Sequence, residues 1–211
     1  VQADLVWEDK TKNLELLYAM LSTAAPADII VLPEMFATGF TMNAAACASL
    51  PTGPEVHWMQ TLAAEKKACV VGSLIIVEDE KFYNRLFWVW PNGSLKTYNK
   101  RHLFSLAGEE KVFTAGAERL VVEHKGWRIM PLVCYDLRFP VWSRNNLNYN
   151  VLLYVANWPE RRSYPWQQLL KARAIENQSY VVGLNRVGTD GNGVFYSGDS
   201  AIIDALGESI S

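Results

Sequence analysis

Three apolar segments of the sequence each end in a polar residue that could take part in acid–base or nucleophilic chemistry. Glu34 follows an apolar run that closes at Pro33, Lys100 lies in a basic and aromatic loop, and Cys134 follows a run that closes at Val133. In α/β enzymes, reactive side chains lie at strand ends, where loops can orient them from a rigid base. Glu34 could act as a general base, Lys100 could stabilise an oxyanion, and Cys134 could be a nucleophile.

Taken singly, each of these residues also has an ordinary structural explanation. Glu34 could be a surface carboxylate and Lys100 a solvated surface cation, since both residue types are mostly exposed. Cys134 could be a small buried hydrophobe, although the charges of Asp136 and Arg138 that follow it directly favour a reactive thiol. Residue type and spacing therefore leave both explanations open.

Short apolar runs that alternate with amphipathic stretches predict the elements that would position these residues. The predicted strands are Asp28–Pro33, Ala68–Val77, Asn84–Trp90, Trp127–Val133, Asn150–Ala156, Ser179–Leu184 and Ser200–Asp204. The predicted helices are Leu14–Leu21, Glu55–Lys67 and Pro165–Gln178. Two turns are predicted at 91–94 and 205–208 from Asn-Gly and Leu-Gly pairs. This alternation predicts an α/β fold in which sheets are covered by helices, with a two-sheet sandwich fitting the number of strands better than one open sheet.

Composition narrows the functional classes further. The chain has 211 residues, half of them hydrophobic, and a net charge of -2, which fits one soluble domain without a nucleic-acid-binding basic stripe. No apolar run is long enough to cross a bilayer. The odd count of three cysteines favours a reducing, cytoplasmic setting. The three histidines show no metal-ligand spacing, so we expect neither a metal nor a cofactor.

The ends of the sequence predict an incomplete domain. The chain begins at Val1 without an initiator methionine and stops just after the turn at 205–208, where a return strand would start. We therefore expect residues 1–211 to form a single domain that lacks part of its C-terminal end.

Three motifs together resemble the nitrilase superfamily, the carbon–nitrogen hydrolases. They are Leu-Pro-Glu-Met (32–35), Asn-Lys-Arg-His-Leu-Phe (99–104) and Cys-Tyr-Asp-Leu-Arg-Phe-Pro (134–140). Further segments, including Tyr-Val-Ala-Asn-Trp-Pro (154–159) and Ala-Arg-Ala-Ile-Glu-Asn-Gln (172–178), are similar to the omega-amidase branch. The resemblance implies a four-layer α-β-β-α sandwich, a homodimer and a small amide substrate.

The resemblance also implies roles for particular residues. Glu34 would be the general base, Cys134 the nucleophile and Lys100 the cation that stabilises the tetrahedral intermediate and the thiolate. Glu109 takes the place of the family's second glutamate, with Glu110 as the fallback. The backbone N–H of Tyr135 would complete the oxyanion hole.

The omega-amidase branch cleaves the terminal amide of 2-oxo acid amides such as 2-oxoglutaramate and 2-oxosuccinamate. Arg138 is our candidate for binding the substrate carboxylate, because a guanidinium can donate two parallel hydrogen bonds. A structural ion pair of Arg138 with Asp136 or Glu176 is the alternative. We expect a small pocket to be walled by three aromatic residues, namely Phe36, Trp158 and Tyr135.

Three other functions remain open. One is a Cys-His hydrolase that pairs Cys134 with His102, and another is a family member that hydrolyses an N-carbamoyl amide or a nitrile with the same three residues. A third is a non-catalytic binding or regulatory module. Cys47 and Cys69 lack the sequence context of Cys134 and are interpreted as structural.

Overall fold

The computed structural model describes residues 1–210. Its helices are α1 Lys10–Ser22, α2 Ala44–Cys47, α3 Pro54–Lys66, α4 Pro140–Ser143 and α5 Ser163–Asn177. Its strands are β1 Ile29–Val31, β2 Cys69–Glu78, β3 Lys81–Val89, β4 Leu95–Asn99, β5 Val122–His124, β6 Trp127–Val133, β7 Val151–Ala156, β8 Tyr180–Asn185, β9 Val187–Thr189, β10 Phe195–Ser197 and β11 Ala201–Ile203. Four short 3-10 helices cover Ser105–Ala107, Glu109–Lys111, Cys134–Arg138 and Glu160–Arg162.

The strands form two large sheets. The first has the order β1-β2-β3-β4, in which β1 and β2 are parallel and the other neighbours are antiparallel. The second has the order β11-β8-β7-β6-β5, with β6, β7 and β8 parallel to one another. A separate pair, β9 and β10, is antiparallel. Parallel strands end at the same edge of a sheet, so the segments that follow β6 and β7 lie side by side.

Side chains that alternate along the first sheet show how the layers stack. On β2, Val71 belongs to the core cluster shared with the second sheet, whereas Val70 and Leu74 belong to the cluster shared with α1 and α3. Successive side chains of a strand point to opposite faces, so one face of the sheet packs on the other sheet and the opposite face on helices. The core residues Trp166, Leu170 and Ala174 of α5 join the cluster of the second sheet.

These layers make a four-layer α-β-β-α sandwich, as expected. Several predicted elements match closely: β6 has the predicted bounds, and α3 and α5 are shifted by one or two residues. Short elements were missed, namely α2, α4, β4, β5, β9 and β10. They lack a long periodic apolar pattern. The four strands among them form because neighbouring strands supply their hydrogen bonds, and the two helices are only four residues long.

Both predicted turns are present. Gly93 adopts a φ of 81° and its N–H donates to the carbonyl of Trp90, so that β3 returns as β4. Gly207 adopts a φ of 88°, and the N–H of Asp204 donates to the carbonyl of Glu208. No helix within residues 1–210 has the length and apolarity required to span a membrane.

Candidate active site

Strand ends bring the predicted reactive residues together. Lys100 directly follows β4, Cys134 directly follows β6, and Asn157 directly follows β7. Glu34 lies three residues beyond β1, after the N–H of Leu32 has bonded to the neighbouring strand. The first sheet therefore supplies the carboxylate and the ammonium, and the second sheet supplies the thiol.

Glu34, Lys100 and Glu109 form one ionic cluster whose side chains are fully buried. The Lys100 ammonium donates to Oε1 of Glu34 over 2.8 Å and to both oxygens of Glu109 over 3.0 and 2.9 Å. Buried charges are costly unless they are paired and hydrogen-bonded, and here the ammonium contacts three carboxylate oxygens, two of them on Glu109. Glu110, the fallback for Glu109, is exposed on the adjacent position.

Neutral donors complete the hydrogen bonding of the two carboxylates. The Asn84 amide donates to Glu34 over 2.8 Å and to Glu109 over 3.1 Å. The N–H of Asn157 donates to Oε2 of Glu34 over 2.9 Å, and the N–H of Phe104 donates to Oε2 of Glu109. The two carboxylates are thereby fixed in position rather than free to rotate.

Cys134 lies at a strained turn beside this cluster. Its φ is 43°, a left-handed conformation that is unfavourable for a residue with a side chain and that recurs at functional sites. The thiol lies 3.9 Å from the carbonyl oxygen of Asn157 and borders a cavity. The sharp turn after β6 thus presents the sulfur at the strand end.

The charges of the cluster set the protonation of its members. Burial alone would lower the pKa of Lys100, but the carboxylates of Glu109 and Glu34 outweigh it and raise that pKa. Burial raises the pKa of Glu109, with Glu34 adding to the effect and Lys100 opposing it. Two carboxylates share one ammonium. Lys100 therefore keeps its proton strongly, and the pKa of Glu109 is raised because one ammonium does not compensate two buried carboxylates.

The pKa of the Cys134 thiol differs from the sequence-based expectation. Lys100 does act to lower the pKa of Cys134, as expected, but burial and the Glu34 carboxylate raise it well above its ordinary value. The resting residue is therefore a neutral thiol at pH 7, and a proton acceptor must take its proton as it attacks.

A cavity of about 580 Å³ opens in front of the sulfur. Its wall includes Tyr135, Arg138 and Trp158, three of the residues predicted to surround a substrate. Tyr135 is the second residue of the 3-10 helix Cys134–Arg138, and the first N–H groups of a helix have no intrahelical acceptor. A backbone donor is therefore available next to the nucleophile.

Arg138 is free to bind an anion. Its guanidinium lies 5.1 Å from the ring centre of Trp158, and within residues 1–210 it forms no ion pair with Asp136 or Glu176. Asp136 instead accepts hydrogen bonds from other groups, and Glu176 pairs with Arg173 over 2.8 Å. The alternative of a structural ion pair for Arg138 is therefore wrong.

Phe36 does not lie in the cavity wall predicted for it. It is fully buried between the first sheet and α3, where its ring packs 5.9 Å from that of Trp58. A Cβ on Gly72 would lie only 2.9 Å from Phe36, so the glycine makes room for the ring. Phe36 is a core residue because the turn after Glu34 directs it toward the helix.

His102 is engaged away from the sulfur. Its Nδ1 lies 2.8 Å from Oδ1 of Asp136, and its ring stacks on Phe139 at 3.7 Å.

Cys47 and Cys69 are free, buried thiols in core clusters. Within residues 1–210, no group of three or more His, Cys, Asp or Glu side chains is arranged to hold a metal ion.

Three residues of the site escaped the sequence-based prediction. Asn84 lies in a predicted strand, Asn157 lies in the segment 154–159, and Arg162 lies in none of the motifs. Arg162 lines the cavity and lies 5.0 Å from the ring centre of Phe104. A polar amide inside an apolar strand was the available signal for Asn84.

Comparison with known proteins defines the class to which this fold and site belong. The family model for carbon-nitrogen hydrolases matches residues 1–211, and the chain belongs to this family. The resemblance to the nitrilase superfamily and its expected fold are thus confirmed, and the chain is an enzyme of the amide-hydrolysing kind.

Particular relatives are close. An omega-amidase YafV of Yersinia enterocolitica is 52% identical over 99% of this chain and 81% of its own length. A 2-oxoglutaramate amidase of Bacillus subtilis is 35% identical over 98% of this chain and 82% of its own length. The crystal structure of XC1258 from Xanthomonas campestris, a CN-hydrolase superfamily protein with an arsenic adduct in its active site, is 45% identical. It superposes with a TM-score of 0.97 over 100% of this chain and 83% of its own.

Proposed function

We propose that the protein is an omega-amidase that releases ammonia from 2-oxo acid amides such as 2-oxoglutaramate and 2-oxosuccinamate. The observation that carries the proposal is the cluster of Glu34, Lys100 and Glu109 beside the Cys134 thiol, at a cavity that also contains Arg138. Similarity to an omega-amidase and to a 2-oxoglutaramate amidase supports this substrate class.

Acylation begins when Glu34 takes the proton of the Cys134 thiol as the sulfur attacks the amide carbonyl. The high pKa of the thiol favours this coupled transfer over a free thiolate. The Lys100 ammonium and the N–H of Tyr135 stabilise the oxyanion that forms. Glu34 then gives its proton to the leaving nitrogen, the C–N bond breaks, and ammonia departs from a thioester on Cys134.

Deacylation uses the same groups in reverse. Glu34 removes a proton from water as the water oxygen attacks the thioester carbonyl, and Lys100 again faces the developing negative charge. Collapse breaks the C–S bond, and the proton returns from Glu34 to the sulfur. Glu109 holds Lys100 in place through two hydrogen bonds and keeps its charge. These steps need no metal and no cofactor.

Arg138 gives the cavity its preference for a carboxylate-bearing amide. Its guanidinium is supported by the face of Trp158 and leaves its N–H donors unpaired, which suits a two-pronged bond to a carboxylate. Arg161 and Arg162 add two further positive charges to the same wall, which also contains the carboxylates of Glu8 and Asp190, so the charged side chains of the wall sum to +1. A negatively charged substrate is therefore favoured over a neutral one.

The test is ammonia release from a panel of 2-oxo acid amides, N-carbamoyl amino acids and nitriles. We expect 2-oxoglutaramate to give the highest kcat/KM, and Arg138→Gln to reduce that value while sparing a neutral amide such as propionamide. Arg144→Gln is the control, since Arg144 is exposed and outside the cavity. A higher kcat/KM for a nitrile or an N-carbamoyl substrate would refute the proposed substrate class.

We further propose that the enzyme is a cytoplasmic homodimer. All three cysteines are free of disulfides, which supports a reducing compartment. Three apolar side chains on and beside α5, those of Tyr164, Ile175 and Leu206, are 74%, 54% and 80% exposed, and a second copy could cover them. Light scattering should give twice the chain mass for the wild type and the single chain mass for Ile175→Glu. A monomeric wild type at micromolar concentration would exclude the dimer.

A further inference from the structure

Asn84 connects both acidic residues of the site. It lies on β3, is 1% exposed, and its side-chain Nδ2 donates to Oε1 of Glu34 over 2.8 Å and to Oε1 of Glu109 over 3.1 Å. An amide nitrogen has two hydrogens, so each is used by one carboxylate. The two partners lie 50 and 25 residues away in the sequence, so these contacts form only in the folded protein.

The contacts make the two oxygens of Glu34 unequal. Oε1 accepts hydrogen bonds from Asn84 and from the Lys100 ammonium, both over 2.8 Å. Oε2 accepts one hydrogen bond, which comes from the N–H of Asn157. A carboxylate oxygen has two lone-pair sites, so Oε1 is saturated while Oε2 keeps one site open. Oε2 and the thiol border the same residue, because the N–H of Asn157 bonds to Oε2 and its carbonyl oxygen lies 3.9 Å from the Cys134 sulfur.

The charge of the cluster depends on Asn84 being neutral. Glu34 and Glu109 carry two negative charges and Lys100 one positive charge, so the ionised cluster has a net charge of -1. A cation in place of Asn84 would neutralise it and weaken Glu34 as a base, and a third carboxylate would repel both acidic residues. A neutral amide satisfies two buried carboxylates without either effect.

We infer that Asn84 is a positioning residue: together with Lys100 it fixes Oε1 of Glu34, so that Oε2 is the oxygen that exchanges protons with Cys134. The inference rests on the proposed function of Glu34 as the general base. In acylation the S–H proton moves to Oε2 as the S–C bond forms, and from Oε2 to the leaving nitrogen. In deacylation a proton of water moves to Oε2 and then to the sulfur.

Asn84→Asp tests this assignment because it keeps the shape of the side chain, removes both donors and adds a carboxylate. We expect kcat to fall at least about 100-fold, the size of effect that follows a small misplacement of a reacting group. KM should stay within about threefold, since Asn84 does not line the cavity. The control is Asn177→Asp on α5, a buried amide with one donated and one accepted hydrogen bond, which should leave kcat unchanged.

A second readout needs no substrate. The pH dependence of Cys134 alkylation by iodoacetamide reports the thiol, whose surroundings include Glu34, Glu109 and Lys100. In Asn84→Asp the added carboxylate should move this profile upward by about one pH unit, which makes alkylation about tenfold slower at pH 8. If position 84 were not coupled to the thiol through Glu34 and Glu109, the profile of a folded variant would stay where it is.

Two results together overturn the inference: folded Asn84→Asp with kcat within threefold of wild type, and an unchanged alkylation profile. If Asn84→Asp does not fold, Asn84→Ser replaces it. Its single hydroxyl hydrogen can serve only one carboxylate, so we expect kcat at least about tenfold below wild type, and full activity would overturn the inference. A wild type that hydrolyses no 2-oxo acid amide, combined with a shifted alkylation profile, would refute the proposed substrate but support the role of Asn84.

Discussion

Replacing Lys100 by methionine removes the only cation of the buried cluster while keeping the length of the side chain. Glu34 and Glu109 would then face each other with no positive charge between them, and both side chains are fully buried. Removing one partner of a buried ion pair costs about 3–5 kcal/mol, because the remaining charge is left uncompensated. We expect the free energy of unfolding at pH 7 to fall by about that amount.

The same substitution should disable catalysis separately from stability. Loss of one oxyanion donor costs about 100- to 1,000-fold in kcat. The matched control is Lys125→Met, because Lys125 also pairs with a carboxylate, that of Asp28, but both side chains are about two-thirds exposed, at 64% and 65%. Exposed pairs contribute about 1 kcal/mol or less, so this control should be nearly as stable as wild type and fully active.

The assays are urea unfolding and ammonia release, each measured for both variants across pH. Burial already raises the pKa of Glu109 in the wild type, and without the opposing charge of Lys100 this pKa should rise further. A raised folded-state pKa leaves stability intact below the ordinary glutamate value of about 4.3 and removes it as the pH rises through the folded value. The stability deficit of Lys100→Met should therefore shrink toward pH 4. A deficit that equals that of Lys125→Met, or kcat above a tenth of wild type, would refute this reasoning.

Three further predictions concern the base, the thiol and the histidine. Glu34→Gln should lower kcat by about 100- to 10,000-fold. It should nonetheless speed alkylation of Cys134 at pH 8, because the Glu34 charge helps to raise the thiol pKa; slower alkylation would contradict the stated cause. In the wild type, peptide mass spectrometry should find iodoacetamide on Cys134 before the other two cysteines, at a rate that still increases above pH 8; a plateau near pH 7 would indicate a lowered pKa. His102→Ala should keep kcat within about tenfold of wild type, because His102 bonds to Asp136 and not to the sulfur, and a loss as large as that of Lys100→Met would favour a Cys-His hydrolase.

The apolar patterns before Glu34 and Cys134 were readable and placed both residues at strand ends, and the resemblance to the nitrilase superfamily implied that they converge with Lys100. The run Trp127–Val133 specifies a buried strand, and the residue after it, Cys134, must lie at the sheet edge. Lys100 follows β4, which was not predicted as a strand, so its place in the site came from the resemblance alone.

The direction of the Phe36 side chain and the pKa of Cys134 could not be predicted from the sequence pattern. Phe36 was expected in the cavity, but Met35 adopts a φ of 44° and its N–H bonds to the hydroxyl of Ser73, which turns the chain toward α3. The pKa of Cys134 was expected to be lowered, but its direction depends on burial and on two carboxylates that outnumber one ammonium. The net effect of burial and of these charges on the pKa can be judged only when the positions of groups far apart in the sequence are known.

The most direct test of the whole account is to mix the enzyme with 2-oxoglutaramate and quench the reaction with acid during the first turnover. Peptide mass spectrometry then locates the covalent intermediate. We predict an acyl group on the peptide that contains Cys134, one equivalent of ammonia released for each acyl group formed, and neither product with Cys134→Ala. Ammonia release by Cys134→Ala at the wild-type rate, or an acyl group on another residue, would contradict the central claim.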